Sequence, residues 1–143
     1  MPSAVADTTI LVSAFLRAKV GGASFDLLGL AHEGVFDLYL SNDILEETAR
    51  VLLESARIRR RYVYSDQAVV DYCRALSRLA TVVSRVPTIK VVRDPNDDMI
   101  LAAALAAKAK YLVTRDDDLL VLKTYKRVAI VTPEVFLAIL RKT

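Results

Sequence analysis

Short, continuously apolar runs alternate along this chain with longer stretches in which apolar residues recur every three or four positions. The first run, SAVA, stops at Asp7, and two threonines lead into a second apolar stretch. A buried strand is therefore predicted to pass directly into a helix over residues 8–16. Residues 17–22 close on Gly21-Gly22 and read as a loop, and residues 23–32 as a second helix, with Phe25, Leu28 and Leu30 inside, stopped near Gly34. VFDLYL, residues 35–40, alternates as a strand does and ends at Ser41. Ser41 is a favourable N-cap, after which Ile44, Leu45, Thr48, Val51 and Leu52 share one helical stripe.

The segment ARIRRRYVY, residues 56–64, interrupts that stripe. Ser65 and Asp66 then open a helix predicted to run to about Arg85, with Val69, Val70, Cys73, Leu76, Leu79 and Ala80 inside and Pro87 ending it. Residues 88–92 read as a short strand, 93–95 as a loop, 96–110 as an alanine-rich helix and 111–114 as a strand. A short helical stretch over 116–122, a last strand over 127–131 and a terminal helix over 132–141, with Pro133 in its first turn, complete the pattern. Strands alternating with helices predict an α/β fold, a three-layer sandwich around a central, mainly parallel sheet of four to five strands. With no repeat, linker or low-complexity segment, residues 1–143 are expected to form a single domain.

Composition narrows the chemistry more than the fold. The chain holds one cysteine, Cys73, and one histidine, His32, which rules out an internal disulfide, a zinc site of the Cys/His type and any dyad needing a second such residue. Chemistry must run on carboxylates, hydroxyls, Lys, Arg or Tyr. A net charge of +3 permits a polyanionic partner without requiring one. No apolar run approaches the roughly 20 residues needed to span a bilayer, and Asp7 interrupts the N-terminal apolar stretch, which argues against a signal peptide; a cytoplasmic protein is expected.

The acids are placed more tellingly than their number suggests. Asp7 follows the first strand, Glu46-Glu47 lie one turn into the helix after the second, Asp94 to Asp98 follow the third, and Asp116-Asp117-Asp118 follow the fourth. In a parallel sheet these junctions share the carboxyl edge, where ligands bind. Read alone, Asp7 is a helix cap before it is a ligand. Helical phase selects Asp98, which shares a stripe with Leu101, Ala102 and Leu105, over Asp94 and Asp97, which have capping roles available to them. It selects Glu47, beside Ile44 and Val51, over Glu46, and Asp116 comes first after its strand, with Asp118 in support. Gathered carboxylates raise one another's pKa values and oppose folding unless a cation compensates them. An all-oxygen donor set suits Mg2+ or Mn2+, which can activate water and neutralise charge on a phosphodiester.

Asp7-Thr8, SNDILEET (residues 41–48), RDPNDDMILAAALA (93–106) and LVTRDDDLL (112–120), in this order and spacing, resemble the PIN domain, most closely the VapC-like toxins of toxin–antitoxin systems. The resemblance covers nearly the whole chain, TPEVFL (132–137) included. It implies metal-binding acids at Asp7, Glu47, Asp98 and Asp116, the residues chosen by phase, with Asp118 and Asp94 as accessory acids and Thr114 as the hydroxyl preceding Asp116. It further implies a Mg2+- or Mn2+-dependent endoribonuclease leaving a 5′-phosphate and a 3′-hydroxyl, often a homodimer neutralised by an antitoxin. Where the family commonly has Asp-Thr-Asn, this chain has Asp7-Thr8-Thr9, which changes the support available to Asp7.

Two further readings compete. A PIN-fold interaction module with little turnover is favoured by Thr9. An aspartyl-nucleophile phosphohydrolase would want a second acid where Thr9 stands. Arg57, Arg59, Arg60 and Arg61, with Tyr62 and Tyr64, are candidates for holding single-stranded RNA, for a solvated loop or for a partner contact. Arg93 and Arg115, each beside a proposed metal acid, either grip the strand or pair with neighbouring acids.

Overall fold

The computed structural model of the chain describes residues 1–142; Thr143, the last residue of the expected domain, lies outside them. The elements run β1 (Ser3–Ala6), α1 (Thr8–Leu16), α2 (Ala23–His32), β2 (Asp37–Ser41), α3 (Asn42–Glu54), α4 (Ala56–Arg61), α5 (Asp66–Leu79) and β3 (Thr81–Val83). They continue with α6 (Pro95–Ala107), β4 (Tyr111–Val113), α7 (Asp117–Leu120), β5 (Thr124–Tyr125), β6 (Val128–Val131) and α8 (Pro133–Arg141). The strands form one sheet in the order β3-β2-β1-β4-β6-β5, parallel throughout except for β5, which runs antiparallel to β6. The α/β class and the mainly parallel sheet are as expected, with six strands where four to five were predicted.

β1 sits at the centre because its residues can be buried on both faces: Ala4, Val5 and Ala6 are inaccessible to solvent. Its register pairs Val5 with Tyr39 of β2 and with Leu112 of β4. The chain moves outward from β1 to β2 and β3, then crosses back over the sheet through α6 to β4 on the other side. α6 accordingly packs against β1, β2, β3 and β4, whereas α1 packs on α2 and α3, and α3 on α5. Right-handed crossovers place those two groups on opposite faces of the sheet. The order reverses between β1 and β4, so the crevice of the switch point opens beyond Ala6 and Val113.

Two predicted elements are corrected. Residues 88–92 are not a strand, and the helix expected to reach Arg85 ends at Leu79. The third strand is instead Thr81–Val83, a run of β-branched residues that pairs in parallel with Tyr39–Ser41 of β2. Helical periodicity in the preceding residues masked this change of period. Residues 84–94 become a loop, and the arginine-rich segment, read as a break, forms helix α4, capped by the Ser55 hydroxyl on the Ile58 amide.

The main core gathers around Phe36, Leu40, Leu101, Leu112 and Phe136, with Phe36 and Phe136 meeting edge to face at 4.9 Å. A smaller core lies under α1, α3 and α5, where Val12, Leu52 and Val69 pack with Phe15, Tyr64 and Tyr72. Tyr72 donates its hydroxyl to the Leu11 carbonyl at 2.6 Å, and burial pushes its pKa well above the usual tyrosine value. This ties α5 to α1, the helix that follows Asp7.

Candidate metal centre

Asp7 emerges from β1 at the switch point and caps α1 through Oδ1, which accepts the Thr9 amide at 2.6 Å and the Thr9 hydroxyl at 2.9 Å. Its other oxygen, Oδ2, accepts the Thr114 hydroxyl at 2.5 Å. Asp7 is therefore both a cap and a buried acid, only 4 % exposed, and these two readings do not compete. Thr9 supplies a side-chain hydrogen bond to this carboxylate despite replacing an amide side chain.

Thr114 is the hinge of the arrangement. Fully buried at the end of β4, it donates to Asp7 and accepts from the Asp116 amide at 3.0 Å, so one hydroxyl sets the distance between two strand ends. Asp116 caps α7 by accepting the Asp118 amide on Oδ1 at 2.9 Å. Asp118 is exposed and stands 3.9 Å from Arg93.

Asp97 completes the group. It is buried near the start of α6, and one oxygen each from Asp97, Asp116 and Asp118 lie within 4.8 Å of one another. Burial raises the Asp97 carboxyl to about 7, helped by the charge and hydrogen bond of Asp116 and the charges of Asp94 and Asp7. Its Oδ2 is buried without a hydrogen-bond partner. A lone buried carboxylate oxygen facing other acids is costly, and a divalent cation with oxygen ligands removes that cost. The donor chemistry and the orphaned atom both fit such an ion.

Asp98 is placed differently from expectation. Its Oδ1 accepts the amides of Val91 and Val92 at 2.8 and 2.7 Å, so it anchors the 84–94 loop and is not in the carboxylate group. The stripe argument favoured it because Leu101, Ala102 and Leu105 lie at its spacings, but Asp97 has an equally buried stripe in Ile100, Leu101 and Ala104. α6 is buried around most of its circumference near its start, so phase alone does not discriminate between the two. Asp94 holds the N-cap, accepting the Asn96 amide at 2.9 Å.

Glu47 projects from α3 half-buried and is gripped by both Nε and Nη2 of Arg50, one turn on. Thr8, also in the expected set, keeps a buried hydroxyl oxygen without a partner. Of the expected arginines, Arg115 is held by Glu134 through two hydrogen bonds of 2.9 and 2.6 Å, which lower the Glu134 carboxyl. Arg59 is structural: it donates to the carbonyls of Leu52, Leu53 and Tyr64, pairs with Asp66 at 2.9 Å and stacks on Tyr64. Arg60 and Arg61 are exposed.

A family model described as PIN domain matches residues 3–118. The chain belongs to the PIN domain family. The fold of this PIN domain is similar to a chain in the crystal structure of VapBC2 from Rickettsia felis bound to a DNA fragment from their promoter, with a TM-score of 0.58 and 18% identity over 90% of this chain and 96% of that one. No curated protein matches the chain. The matched region carries Asp7, Glu47, Asp97, Asp98, Asp116 and Asp118. Among the described residues of this PIN domain, no helix is long and apolar enough to cross a membrane.

Proposed function

We propose that the protein is a Mg2+- or Mn2+-dependent endoribonuclease acting in the cytoplasm as the toxin of a toxin–antitoxin pair. The observation that carries this reading is the orphaned, buried Oδ2 of Asp97 beside Asp116 and Asp118 at the switch point. In this reading Asp97, Asp116 and Asp118 hold the cation, Asp7 completes the site from beside them, its charge felt at Asp97, and Asp94 adds charge at the rim. Glu47 is recruited by exchanging Arg50, an exposed partner on the same helix whose attraction is screened by solvent. Asp98 is left to the loop.

With Mg2+ or Mn2+ bound there, the site would supply an activated water and neutralise the charge growing on the phosphodiester. The protein's own groups prepare for this. Thr9 and Thr114 fix both oxygens of Asp7, so its orientation is set before any ligand arrives. The raised Asp97 carboxyl holds a proton near neutral pH, which a cation bound there would displace. Arg93, exposed and paired with Asp118 only at 3.9 Å, would turn to the scissile strand, whereas Arg115 is committed to Glu134.

The interaction-module reading drew its support from Thr9, and the Thr9–Asp7 bonds remove that support. The VapBC2 complex, which was crystallised with promoter DNA, motivates an antitoxin partner here, and a homodimer is part of the same proposal. Purified protein with Mn2+ is expected to cut single-stranded RNA to products with 5′-phosphate and 3′-hydroxyl ends, and Asp7→Asn or Asp97→Asn to stop it. Cleavage by both variants at the wild-type rate would overturn the assignment.

A further inference from the structure

A groove of about 570 Å3 lies between α1, α3 and α4, and its lining includes Thr8 and Thr9, the two residues that follow Asp7 in the chain. Its floor is apolar, with Val12, Val51 and Ile58, and every formal charge on its walls is positive: Arg17, Arg57 and Arg61. Arg57 and Arg61 stand one turn apart on α4, so their side chains follow the same face. Both are exposed, and neither enters an ion pair among the described residues. Tyr62 closes the wall with the Arg61 guanidinium 5.8 Å above its ring. Arg59 and Arg60 are absent from the lining, Arg59 being turned into carbonyls that hold α4 in place.

We infer that Arg57, Arg61 and Tyr62 bind the strand of a single-stranded RNA on its way to the carboxylate group, with phosphates on the two guanidiniums and a base on the ring. The substrate class rests on the nuclease reading, but the groove assignment stands on its own observations. A carboxylate centre repels a polyanion, and cations in a groove that shares Thr8 and Thr9 with the start of α1 offset that repulsion. An apolar floor with a tyrosine beside arginines is the surface that sequence-tolerant strand binding uses. The arginine run in the sequence thus divides by function: Arg59 builds the helix, and Arg57 and Arg61 face the groove.

The test measures binding without cleavage, as fluorescence anisotropy of a labelled single-stranded RNA oligonucleotide titrated with full-length protein in EDTA at several salt concentrations. Arg57→Gln/Arg61→Gln is expected to bind about tenfold more weakly, with the slope of log affinity against log salt shallower by about 1.4, since each strand-phosphate contact contributes about 0.7. Arg60→Gln, which removes the same kind of charge outside the groove, is expected to stay within about twofold of wild type. Circular dichroism melts of all three proteins are expected to coincide, because these arginines are exposed. Wild-type affinity and slope in the double variant, or an equal loss in Arg60→Gln, would overturn the inference, as would wild-type protein that binds no RNA. An acidic, leucine-containing peptide is titrated in parallel. If the double variant loses the peptide while keeping RNA, the groove is a peptide dock and the inference fails. Groove-dependent RNA binding without cleavage in Mn2+ would leave the inference standing and sink the nuclease reading.

Discussion

Asp97 and Asp98 are neighbours on one helix, chemically identical and almost equally buried at 6 % and 8 % exposure, yet the fold uses them in opposite ways. Asp98 meets two backbone amides of the 84–94 loop, whose dipoles replace the water lost on burial. Asp97 meets other carboxylates and keeps one oxygen without a partner. Burial of an acid therefore does not by itself mark a ligand. What distinguishes the two is whether the protein supplies donors or withholds them, and a withheld donor leaves room for a cation.

The sharpest way to break this contrast is to neutralise each acid in turn. Asp97→Asn is expected to reduce RNA cleavage in Mn2+ on the order of a thousandfold or more, read as initial rates on labelled single-stranded RNA. Equal loss in Asp98→Asn, which keeps an acceptor for the loop amides, would show that the two acids are not functionally distinct. Thr114→Val tests whether the shared hydroxyl organises the ligand side: cleavage is expected to fall about 10–100-fold, with weaker Mn2+ binding by calorimetry. Unchanged Mn2+ affinity in that variant would make Thr114 purely structural.

On the structural side, Asp98→Ala is expected to lower unfolding stability by about 2 kcal/mol in urea titrations, because two charge-assisted bonds to the loop are lost. Activity per folded molecule is expected to stay within a few-fold, and a wild-type urea midpoint would mean that the loop does not depend on Asp98. The smallest effect concerns pH in the absence of metal. The Asp97 carboxyl is raised from 3.8 to about 7 in the folded protein, so the folded state binds the extra proton between those values. Its contribution is fully present below the unfolded value and is lost as pH rises through about 7. Wild-type stability should therefore decline relative to Asp97→Asn between about pH 4 and 8, and Mn2+ at pH 8 should restore it in wild type only. Parallel pH profiles for the two proteins would show that no such strain resides at Asp97.

Most elements were readable because their signals are local. α1 over residues 8–16 and α2 over 23–32 match the structure at both ends, since a capping acid and a glycine-bearing loop frame them. Ser41 caps α3 as expected, its hydroxyl oxygen accepting the Ile44 amide at 3.1 Å. β3 was misplaced because Thr81–Val83 gains its strand identity from pairing with β2, a partner some forty residues away, while its own neighbourhood still carries helical spacing. The arginine segment was read as a break because its polar residues hide the Ser55 cap and the carbonyl contacts of Arg59. The family resemblance identified the right family, and the edge of the sheet on which acids gather was legible from the alternation of strands and helices alone.

What the sequence by itself determined is the alternating α/β pattern, the absence of Cys/His chemistry and the placement of acids after strands, because period, composition and capping are properties of short windows. Which acid of an adjacent pair faces the crevice was decided only by tertiary structure. In a helix buried on nearly all sides, the stripes of Asp97 and Asp98 are equivalent in sequence. Their fates separate only when the 84–94 loop brings its amides to Asp98 and β4 brings Asp116 to Asp97.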